Sequence, residues 1–154
     1  MITYIKGDIF TTNAQAIAHG ANCEGIMNAG LAKKIKELYP PMYREYVSIC
    51  NSGLINPGNI HFYYSNSIQP SIVNMFTQKT IIEGAKLEYI GQCLDELLEN
   101  YSKWKLRKDS KWKVKTIAMP RIGTGLGKLK WNEVKLLIEK KLSQSELEIK
   151  IYNL

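Results

Sequence analysis

A loop rich in glycine lies between an apolar run and a helical pattern near the end of the chain. Residues 119–127 read Met-Pro-Arg-Ile-Gly-Thr-Gly-Leu-Gly, residues 113–119 predict a buried strand before them, and Trp131–Leu142 predicts a helix after them. Glycine tolerates positive φ and lets a ligand approach the main chain, and successive unshielded N–H groups form concave anion sites. Open α/β sheets bind ligands at such strand ends. The loop therefore predicts a phosphate site; a plain tight turn is the alternative.

Short apolar strands alternate with helical patterns, which is typical of an α/β fold with a largely parallel sheet. The predicted strands are residues 2–6, 16–20, 60–65, 71–76, 113–119 and 148–154. The predicted helices are residues 29–38, 42–52, 83–101 and 131–142. Pro40 and Pro41 are expected to end the first helix, and Asn66 and Ser67 to form a hairpin between the third and fourth strands. No repeat or linker divides the sequence, so residues 1–154 are expected to form a single domain.

Composition narrows the cellular setting and the kind of ligand. Lys6 and Asp8 interrupt any signal-peptide core, and no apolar run approaches the roughly 20 residues of a membrane span, so we expect a cytoplasmic protein. Cys23, Cys50 and Cys93 lack the spacing of metal or redox sites and predict reduced, structural thiols. The net charge of +7 suits an anionic ligand and would equally suit nonspecific nucleic-acid contact. We expect a monomer that needs no metal and no cofactor.

Polar residues and glycines also follow the first two predicted strands. Asp8 follows the first strand, His19 and Asn22 mark the end of the second, and Gly25 and Gly30 precede a helix whose N-terminus favours anions. Loops at strand ends can face one crevice. A carboxylate can accept from an exocyclic amine, an Asn can bind sugar hydroxyls, and two glycine loops can wrap a diphosphate. These residues predict recognition of a nucleotide diphosphate sugar.

Several motifs, taken in order, resemble the macrodomain family over essentially the whole chain. They are Gly7-Asp8-Ile9, Ala21-Asn22-Cys23, Gly25-Ile26-Met27-Asn28-Ala29-Gly30-Leu31-Ala32, Tyr39-Pro40, Asn74-Met75-Phe76-Thr77-Gln78, and the 119–127 loop with Trp131. The branch that they most resemble includes the terminal ADP-ribose glycohydrolases and the ADP-ribose 1″-phosphate phosphatases. The resemblance implies a three-layer α/β/α fold around a central mixed, largely parallel sheet, with ADP-ribose bound in a cleft at the strand ends.

The resemblance also assigns ligand contacts. Asp8 would accept from the adenine amino group beside Ile9, and Asn22 would contact the distal ribose. The first phosphate and ribose loop would contain Gly25, Met27, Asn28, Ala29, Gly30 and Leu31, and the second Arg121, Ile122, Gly123, Thr124, Gly125 and Leu126. Tyr152 and Asn153 would border the adenine pocket, and Thr77 completes the ligand-binding set. A Cβ at Gly123 or Gly125 is expected to block the phosphate space and leave the fold largely intact.

The catalytic pattern departs from that of the glycohydrolases in this branch. Those enzymes use a lysine directly after the threonine of the fourth strand and an aspartate in the second glycine loop, where this sequence has Gln78 and Gly127. Lys79 comes one residue late and is predicted to be a solvated surface lysine. The sequence therefore favours hydrolysis of ADP-ribose 1″-phosphate, with Asn22 and the loop amides positioning the ligand. An ADP-ribose reader without turnover, and a glycohydrolase acting on ADP-ribosylated macromolecules, are the alternatives.

Each singled-out side chain also has a plainer interpretation. His19 is a second candidate catalytic residue, and a packed or capping histidine is the alternative. Asp8 could cap a turn or helix, Asn22 could shape its loop, and Tyr152 could belong to the core. Glu24 could orient a water or simply face solvent.

Basic residues and tryptophans crowd residues 103–115. The set is Lys103, Lys105, Arg107, Lys108, Lys111, Lys113 and Lys115, with Trp104 and Trp112 among them. Such a pattern can bind a phosphate backbone and stack bases, which predicts a weak RNA contact. The alternative is a solvated loop whose tryptophans fold onto the domain.

Overall fold

The computed structural model describes residues 1–107 and 113–154. Within these ranges, six strands form one sheet and four α-helices pack on it. The strands are β1 (Ile2–Lys6), β2 (Ala16–Asn22), β3 (Ile60–Tyr63), β4 (Ser71–Gln78), β5 (Thr116–Met119) and β6 (Glu148–Asn153). The helices are α1 (Gly30–Leu38), α2 (Pro40–Asn51), α3 (Leu87–Trp104) and α4 (Trp131–Leu142), and a short 3-10 turn spans Ile9–Thr11.

The sheet has the strand order β1-β6-β5-β2-β4-β3. The strands pair in parallel except β3, which runs antiparallel to β4. The mixed, largely parallel sheet that the sequence predicts is therefore confirmed. The carboxyl ends of β1, β2, β4, β5 and β6 share one edge of the sheet, and the loops that follow them meet there.

Two hydrophobic cores lie on opposite faces of the sheet, which makes the three layers. Ala16 and Ala18 of β2 face the core under α3 and α4, whereas Ile17 between them faces the core under α1 and α2. Ile90 of α3 and Ile35 of α1 are fully buried in these two cores. Burial of each such side chain stabilises the fold by about 1.5–3 kcal/mol. The predicted α/β/α architecture is confirmed.

Three predicted boundaries differ from the structure, and two of them have a local reason. Helix α3 begins at Leu87 rather than at residue 83, because Gly84 at φ +76° belongs to a turn that precedes the helix. It also continues to Trp104. Strand β5 begins at Thr116 rather than at residue 113, and the Gln15 side chain accepts from the backbone N–H groups at this point. The other boundaries agree closely with the sequence prediction.

Two further details of the chain bear on the fold. Pro40 and Pro41 begin α2 as well as ending α1, because the first helical positions need no backbone N–H donor. Strand β2 runs on to Asn22, which places that residue at the sheet edge. None of the helices in the described ranges is long and apolar enough to cross a bilayer.

Candidate ligand-binding cleft

A cavity of about 760 Å³ lies at the carboxyl edge of the parallel strands. This volume is within the usual range for small-molecule sites. The structure brings together there both candidate catalytic residues and every predicted ligand-binding residue except Gly25. The shared lining residues are Asp8, Ile9, His19, Asn22, Met27, Asn28, Ala29, Gly30, Leu31, Thr77, Arg121, Ile122, Gly123, Thr124, Gly125, Leu126, Tyr152 and Asn153.

Gly25 shapes the first loop instead of lining the cavity. Its φ of +79° is in the left-handed region that favours glycine. A Cβ there would lie against Cys50 and Val47 of α2, and the Tyr43 hydroxyl donates to its carbonyl oxygen at 2.9 Å. Gly25 therefore forms a turn that holds the first loop on α2, and it is not among the residues that line the cavity.

Asp8 lines the cavity beside the last strand. Its Oδ1 accepts from the Phe10 backbone N–H at 2.9 Å and caps the short 3-10 turn, so the capping interpretation is confirmed. Half-buried Tyr152 donates from its hydroxyl to Thr12 at 2.9 Å, and the Asn153 carbonyl oxygen pairs with the chain next to Asp8. The Asp8 carboxylate is exposed and has acceptor capacity beyond its cap.

A cation and an aromatic ring near Asp8 were missed by the sequence reasoning. The Nζ atom of Lys34 lies 4.6 Å from the ring centroid of Phe10, and both residues line the cavity. Lys34 comes four residues after Gly30, so the helical period alone places it on the face of α1 next to the glycine loop. The pair adds positive charge to the cleft.

The N-terminus of α1 lines the cavity. Its N-cap residue, Ala29, provides no side-chain hydrogen bond, and the first α-helical bond runs from the Lys33 N–H to the Ala29 carbonyl oxygen at 3.2 Å. The N–H groups of Gly30 and Leu31 thus have no intrahelical partner. Free N–H groups and the positive end of a helix dipole favour anions, so the predicted phosphate contact at this terminus stays a prediction.

The second glycine loop lines the same cavity as this helix terminus, and its glycines differ in role. Gly123 has a φ of +80°, and a Cβ there would lie 3.0 Å from Ile90 and from Leu129. A Cβ at Gly125 would meet no atom within 4 Å. Gly125 therefore borders open cleft, whereas Gly123 packs on the core. The expectation that a substitution leaves the fold intact stays a prediction for both residues, and the strained backbone and close contacts at Gly123 argue against it there.

Asn22 organises the loop that follows β2. Its Nδ2 donates to the Ile26 carbonyl oxygen at 2.8 Å, and its Oδ1 accepts from the Glu24 N–H and the Tyr46 hydroxyl, both at 3.0 Å. Asn22 is 6% exposed, and its loop-shaping role is confirmed. Sequence reasoning missed Tyr46, which lies in α2 and shows no local signal. The second hydrogen of Nδ2 leaves a donor for a ligand, so the ribose contact stays a prediction.

A β-bulge shapes the end of β4 next to Asn22. The register of β2 and β4 shifts there, so that Asn22 pairs with Gln78 and Thr77 is the extra residue. Gln78 lines the cavity, and Thr77 is buried. Lys79 is exposed and lies outside the cavity lining, as the sequence predicts.

Glu24 connects two loops of the cleft. Its exposed carboxylate accepts from the Ile81 backbone N–H at 2.6 Å, which ties the loop after β2 to the loop after β4. The solvent-facing interpretation of Glu24 is correct as to exposure but misses this contact. The carboxylate has a structural partner, because the chain after β4 turns back toward it.

His19 lies in β2 beneath the cleft and is 1% exposed. Its Nε2 is 2.6 Å from Asn74 Oδ1, and its Nδ1 has no hydrogen-bond partner among the described residues. Burial lowers the pKa of His19 from 6.5 to about 4, so the ring is neutral at pH 7. The packed interpretation is confirmed, and a catalytic role stays a prediction.

The other candidates from the sequence are the three cysteines, the predicted RNA-binding stretch and possible metal ligands. The three cysteines are free, and burial raises the pKa of Cys23 to about 11, which disfavours the reactive thiolate.

In the predicted RNA-binding stretch, residues 108–112 lie outside the described residues. Trp104 packs in the core, and Lys103 and Lys105 form ion pairs. Residues 1–107 and 113–154 contain no cluster of three His, Cys, Asp or Glu suited to a metal ion.

The fold and the cleft define a three-layer α/β/α domain whose ligand site lies between two glycine-containing loops and a helix N-terminus. The chain belongs to the Macro domain family, whose model matches residues 18–138. The family resemblance seen in the sequence is therefore confirmed.

Three curated relatives illustrate the range of this family. A DNA ADP-ribosyl glycohydrolase of Thermus aquaticus is 29% identical over 99% of this chain, which spans 41% of that relative's length. An ADP-ribose 1″-phosphate phosphatase of Meyerozyma guilliermondii is 27% identical, with 90% of this chain and 93% of the relative covered. A 17.5 kDa protein of Enterobacteria phage T4 is 30% identical over 97% of this chain and 95% of its own length.

Solved structures agree with the family assignment. The macrodomain of Mycobacterium tuberculosis DarG matches 100% of this chain and 98% of its own with a TM-score of 0.88 and 27% identity. Thermosipho africanus DarTG, solved in complex with ADP-ribose, matches 97% of this chain and 41% of its own, with a TM-score of 0.84 and 25% identity.

Proposed function

We propose that the chain binds ADP-ribose and hydrolyses ADP-ribose 1″-phosphate to ADP-ribose and phosphate. The observation that carries this proposal is one cavity whose lining brings together Asp8, Asn22, the uncapped N-terminus of α1 and the Gly125 loop. A carboxylate for the base, N–H groups for the diphosphate and an amide for the ribose match the groups of ADP-ribose. The names of the curated relatives support the same ligand.

Binding would use each part of the cleft for one part of the ligand. Asp8 accepts from the adenine amino group, and Tyr152 borders the base. The N–H groups of Gly30 and Leu31 donate to one phosphate, and the Gly125 backbone approaches the other from the opposite side. The distal ribose lies against Asn22.

Hydrolysis would depend on position and on preorganised donors. A bound water attacks phosphorus, the bond between phosphorus and the ribose C1″ oxygen breaks, and that oxygen takes a proton from the water. The loop N–H groups stabilise the charge on the phosphoryl oxygens. Asn22 holds the ribose so that the water and phosphorus meet in line. Turnover is expected to be slow, because the only histidine in the cleft lining is the buried His19.

A glycohydrolase acting on ADP-ribosylated DNA or protein is the second candidate function. The relative of Thermus aquaticus favours it, since its name is DNA ADP-ribosyl glycohydrolase and it matches 99% of this chain. The exposure of Lys79 and the presence of Gln78 in the cleft argue against the lysine-dependent mechanism. We further propose that the chain acts as a monomer in the cytoplasm, in keeping with its free cysteines.

Calorimetry followed by product analysis tests the proposal. ADP-ribose is expected to bind more tightly than AMP, ADP or ribose 5-phosphate; equal affinity for AMP would exclude a distal ribose site. The protein is then incubated with ADP-ribose 1″-phosphate, an ADP-ribosylated oligonucleotide and an ADP-ribosylated peptide, and products are identified by mass. Phosphate release from the first supports the proposal. Release of ADP-ribose from the other two alone would establish the second candidate, and binding without turnover would leave a reader.

A further inference from the structure

A row of polar side chains crosses three strands beneath the cleft and reaches the surface at α2. The His19 ring lies beside Asn74 of β4, with Nε2 2.6 Å from Asn74 Oδ1. On the other side, Asn74 Nδ2 is 3.0 Å from Nδ1 of His61 in β3, and His61 Nε2 is 2.9 Å from the carboxylate of Glu45. Glu45 is half exposed, whereas Asn74, His61 and His19 are buried.

The chemistry of Glu45 fixes the direction of every hydrogen bond in this row. An ionised carboxylate only accepts, so a neutral His61 ring carries its hydrogen on Nε2 and presents a lone pair at Nδ1. That lone pair needs a donor, which is the Asn74 amide NH₂. The Nδ2 atom also lies 3.3 Å from the Met42 sulfur, a weak acceptor that favours the same orientation.

The orientation of Asn74 in turn determines the tautomer of His19. The amide oxygen faces Nε2 of His19, so the hydrogen of the neutral ring must lie on Nε2. Nδ1 of His19 is then an acceptor. It is the end of the row, and it has no hydrogen-bond partner in the described part of the chain.

The position of His19 in the cavity lining indicates which group could donate to this unpaired acceptor. Buried polar atoms are nearly always paired, and an orphaned one in an otherwise satisfied network is unfavourable. His19 lines the ligand cavity together with Asn22 and Thr77. We infer that Glu45, His61 and Asn74 are positioning residues that hold His19 with an Nδ1 lone pair beside the cleft, where this atom, covered in the free protein, is uncovered by a small side-chain movement on binding and accepts a hydrogen bond from a ligand hydroxyl or a ligand-bound water.

With neutral rings, the row has one alternative arrangement of its hydrogens. A substitution of Glu45 at one end of the row therefore tests the tautomer of His19 at the other end. If Asn74 turned its amide over, His61 would carry its hydrogen on Nδ1 and His19 would present an N–H at Nδ1. The ionised Glu45 acceptor at the far end selects strongly between these states, whereas the Met42 sulfur is only a weak acceptor. Removal of Glu45 is therefore expected to mix the two tautomers of His19 without any change in the cleft itself.

The ligand part of this inference rests on the proposed binding of ADP-ribose, whereas the tautomer part does not. The side-chain nitrogen resonances of ¹⁵N-labelled protein distinguish protonated from unprotonated ring nitrogens, so they report both parts. Free wild-type protein should show His19 neutral with its hydrogen on Nε2. Saturating ADP-ribose should shift the Nδ1 resonance toward that of a nitrogen that accepts a hydrogen bond.

Variants at the surface separate positioning from simple packing. Glu45→Leu removes the acceptor, Glu45→Gln keeps one, and Glu37→Leu is the matched control on an exposed residue of α1. Glu45→Leu should give averaged His19 shifts and, with the two tautomers equal, about twofold weaker ADP-ribose binding, since half of the molecules are competent. Glu45→Gln, whose amide can accept or donate at His61, should shift the His19 nitrogens less than Glu45→Leu does, and Glu37→Leu should retain the wild-type spectrum.

Three outcomes would overturn the inference. The first is a wild-type His19 with its hydrogen on Nδ1, and the second is a Glu45→Leu spectrum in which the His19 nitrogens are unchanged. The third is ADP-ribose binding that leaves Nδ1 unmoved, which would contradict the ligand contact. If the wild type does not bind ADP-ribose at all, the proposed function and the ligand contact both fail, and the spectrum of the free protein still decides whether the row sets the tautomer.

Discussion

The hydroxyl of Tyr46 lies 2.7 Å from the backbone carbonyl oxygen of Asn22 and 3.0 Å from its side-chain oxygen. One buried donor in α2 therefore holds both the strand end and the side chain that faces the cleft. We expect Tyr46→Phe to lower the free energy of unfolding by about 1–2 kcal/mol, because two buried acceptors lose a partner. ADP-ribose affinity should fall with it, since the Asn22 loop loosens.

Urea unfolding and calorimetry measure these two effects together. Tyr39→Phe is the matched control, because the Tyr39 hydroxyl donates to the Pro70 carbonyl oxygen away from the cleft. It should reduce stability and leave affinity unchanged. Equal affinity losses in the two variants would show that Tyr46 has no specific role at the site.

Two substitutions at Asp8 separate its cap from its ligand contact. Asn also caps helices, so Asp8→Asn should keep the stability of the 3-10 turn and remove only the charge. Asp8→Ala should lose both, with ADP-ribose binding weakened by roughly 1–3 kcal/mol. Calorimetry with ADP-ribose and thermal melts check this. An Asp8→Ala variant that binds as well as the wild type would exclude an adenine contact.

Gly125→Val and Gly123→Val should behave differently despite their similar place in the sequence. The Gly125 side chain would enter open cleft, so the variant should melt like the wild type and lose ADP-ribose binding. The Gly123 side chain would press on Ile90 and Leu129 in a left-handed backbone conformation, so that variant should be clearly destabilised. Melting temperature and affinity are measured on both. Normal binding by Gly125→Val would mean that no phosphate approaches this loop.

Asn22→Ala and Lys79→Ala test the chemistry. If positioning supplies most of the barrier reduction, Asn22→Ala should slow phosphate release from ADP-ribose 1″-phosphate by about 100-fold. Lys79→Ala should leave the rate of phosphate release nearly unchanged, because Lys79 is exposed. Borohydride is added to a parallel reaction with an ADP-ribosylated peptide. A covalent adduct trapped on Lys79 would establish the lysine-dependent mechanism instead.

His19 should make stability depend on pH in a defined window. Burial lowers its pKa from 6.5 to about 4, so between these values the unfolded chain binds a proton that the folded chain does not. The free energy of unfolding should therefore fall as the pH drops from about 6.5 to 4, by an amount on the order of 3 kcal/mol. Urea unfolding of wild type and His19→Phe at several pH values measures the difference. If the free energy of unfolding varied with pH in the same way in wild type and His19→Phe, the low pKa of His19 would be contradicted.

Local sequence signals predicted most of the sheet and its strand-end loops, and the resemblance to the macrodomain family implied most of the individual residues of the cleft. Strand alternation and the glycine motifs depend on neighbouring residues, and they placed Asp8, Asn22 and Gly125 at one edge. The start of α3 could not be read in the same way. Glu83 and Gly84 continue a helix-like pattern, and only the turn at Gly84, which packs near Gly127, excludes them from the helix.

The contacts that organise the site depend on tertiary packing. Tyr46 reaches Asn22 from a helix 24 positions away, and Glu24 reaches Ile81 across 57. No spacing rule connects such residues, since their separation reflects how α2 packs on the sheet and where the loop after β4 runs. The β-bulge at Thr77 is similar, because a register shift shows in the pairing of strands and not in their composition.

The bare N-terminus of α1 implies that the cleft is also the weak point of that helix. With Ala29 as its cap residue, only water can serve the first amides in the free protein, so this turn should open more readily than the buried turn around Ile35. A phosphate bound there would complete the folding of the turn. Amide hydrogen exchange at Gly30 and Leu31 would slow on binding, and part of the measured affinity would reflect local ordering of the helix.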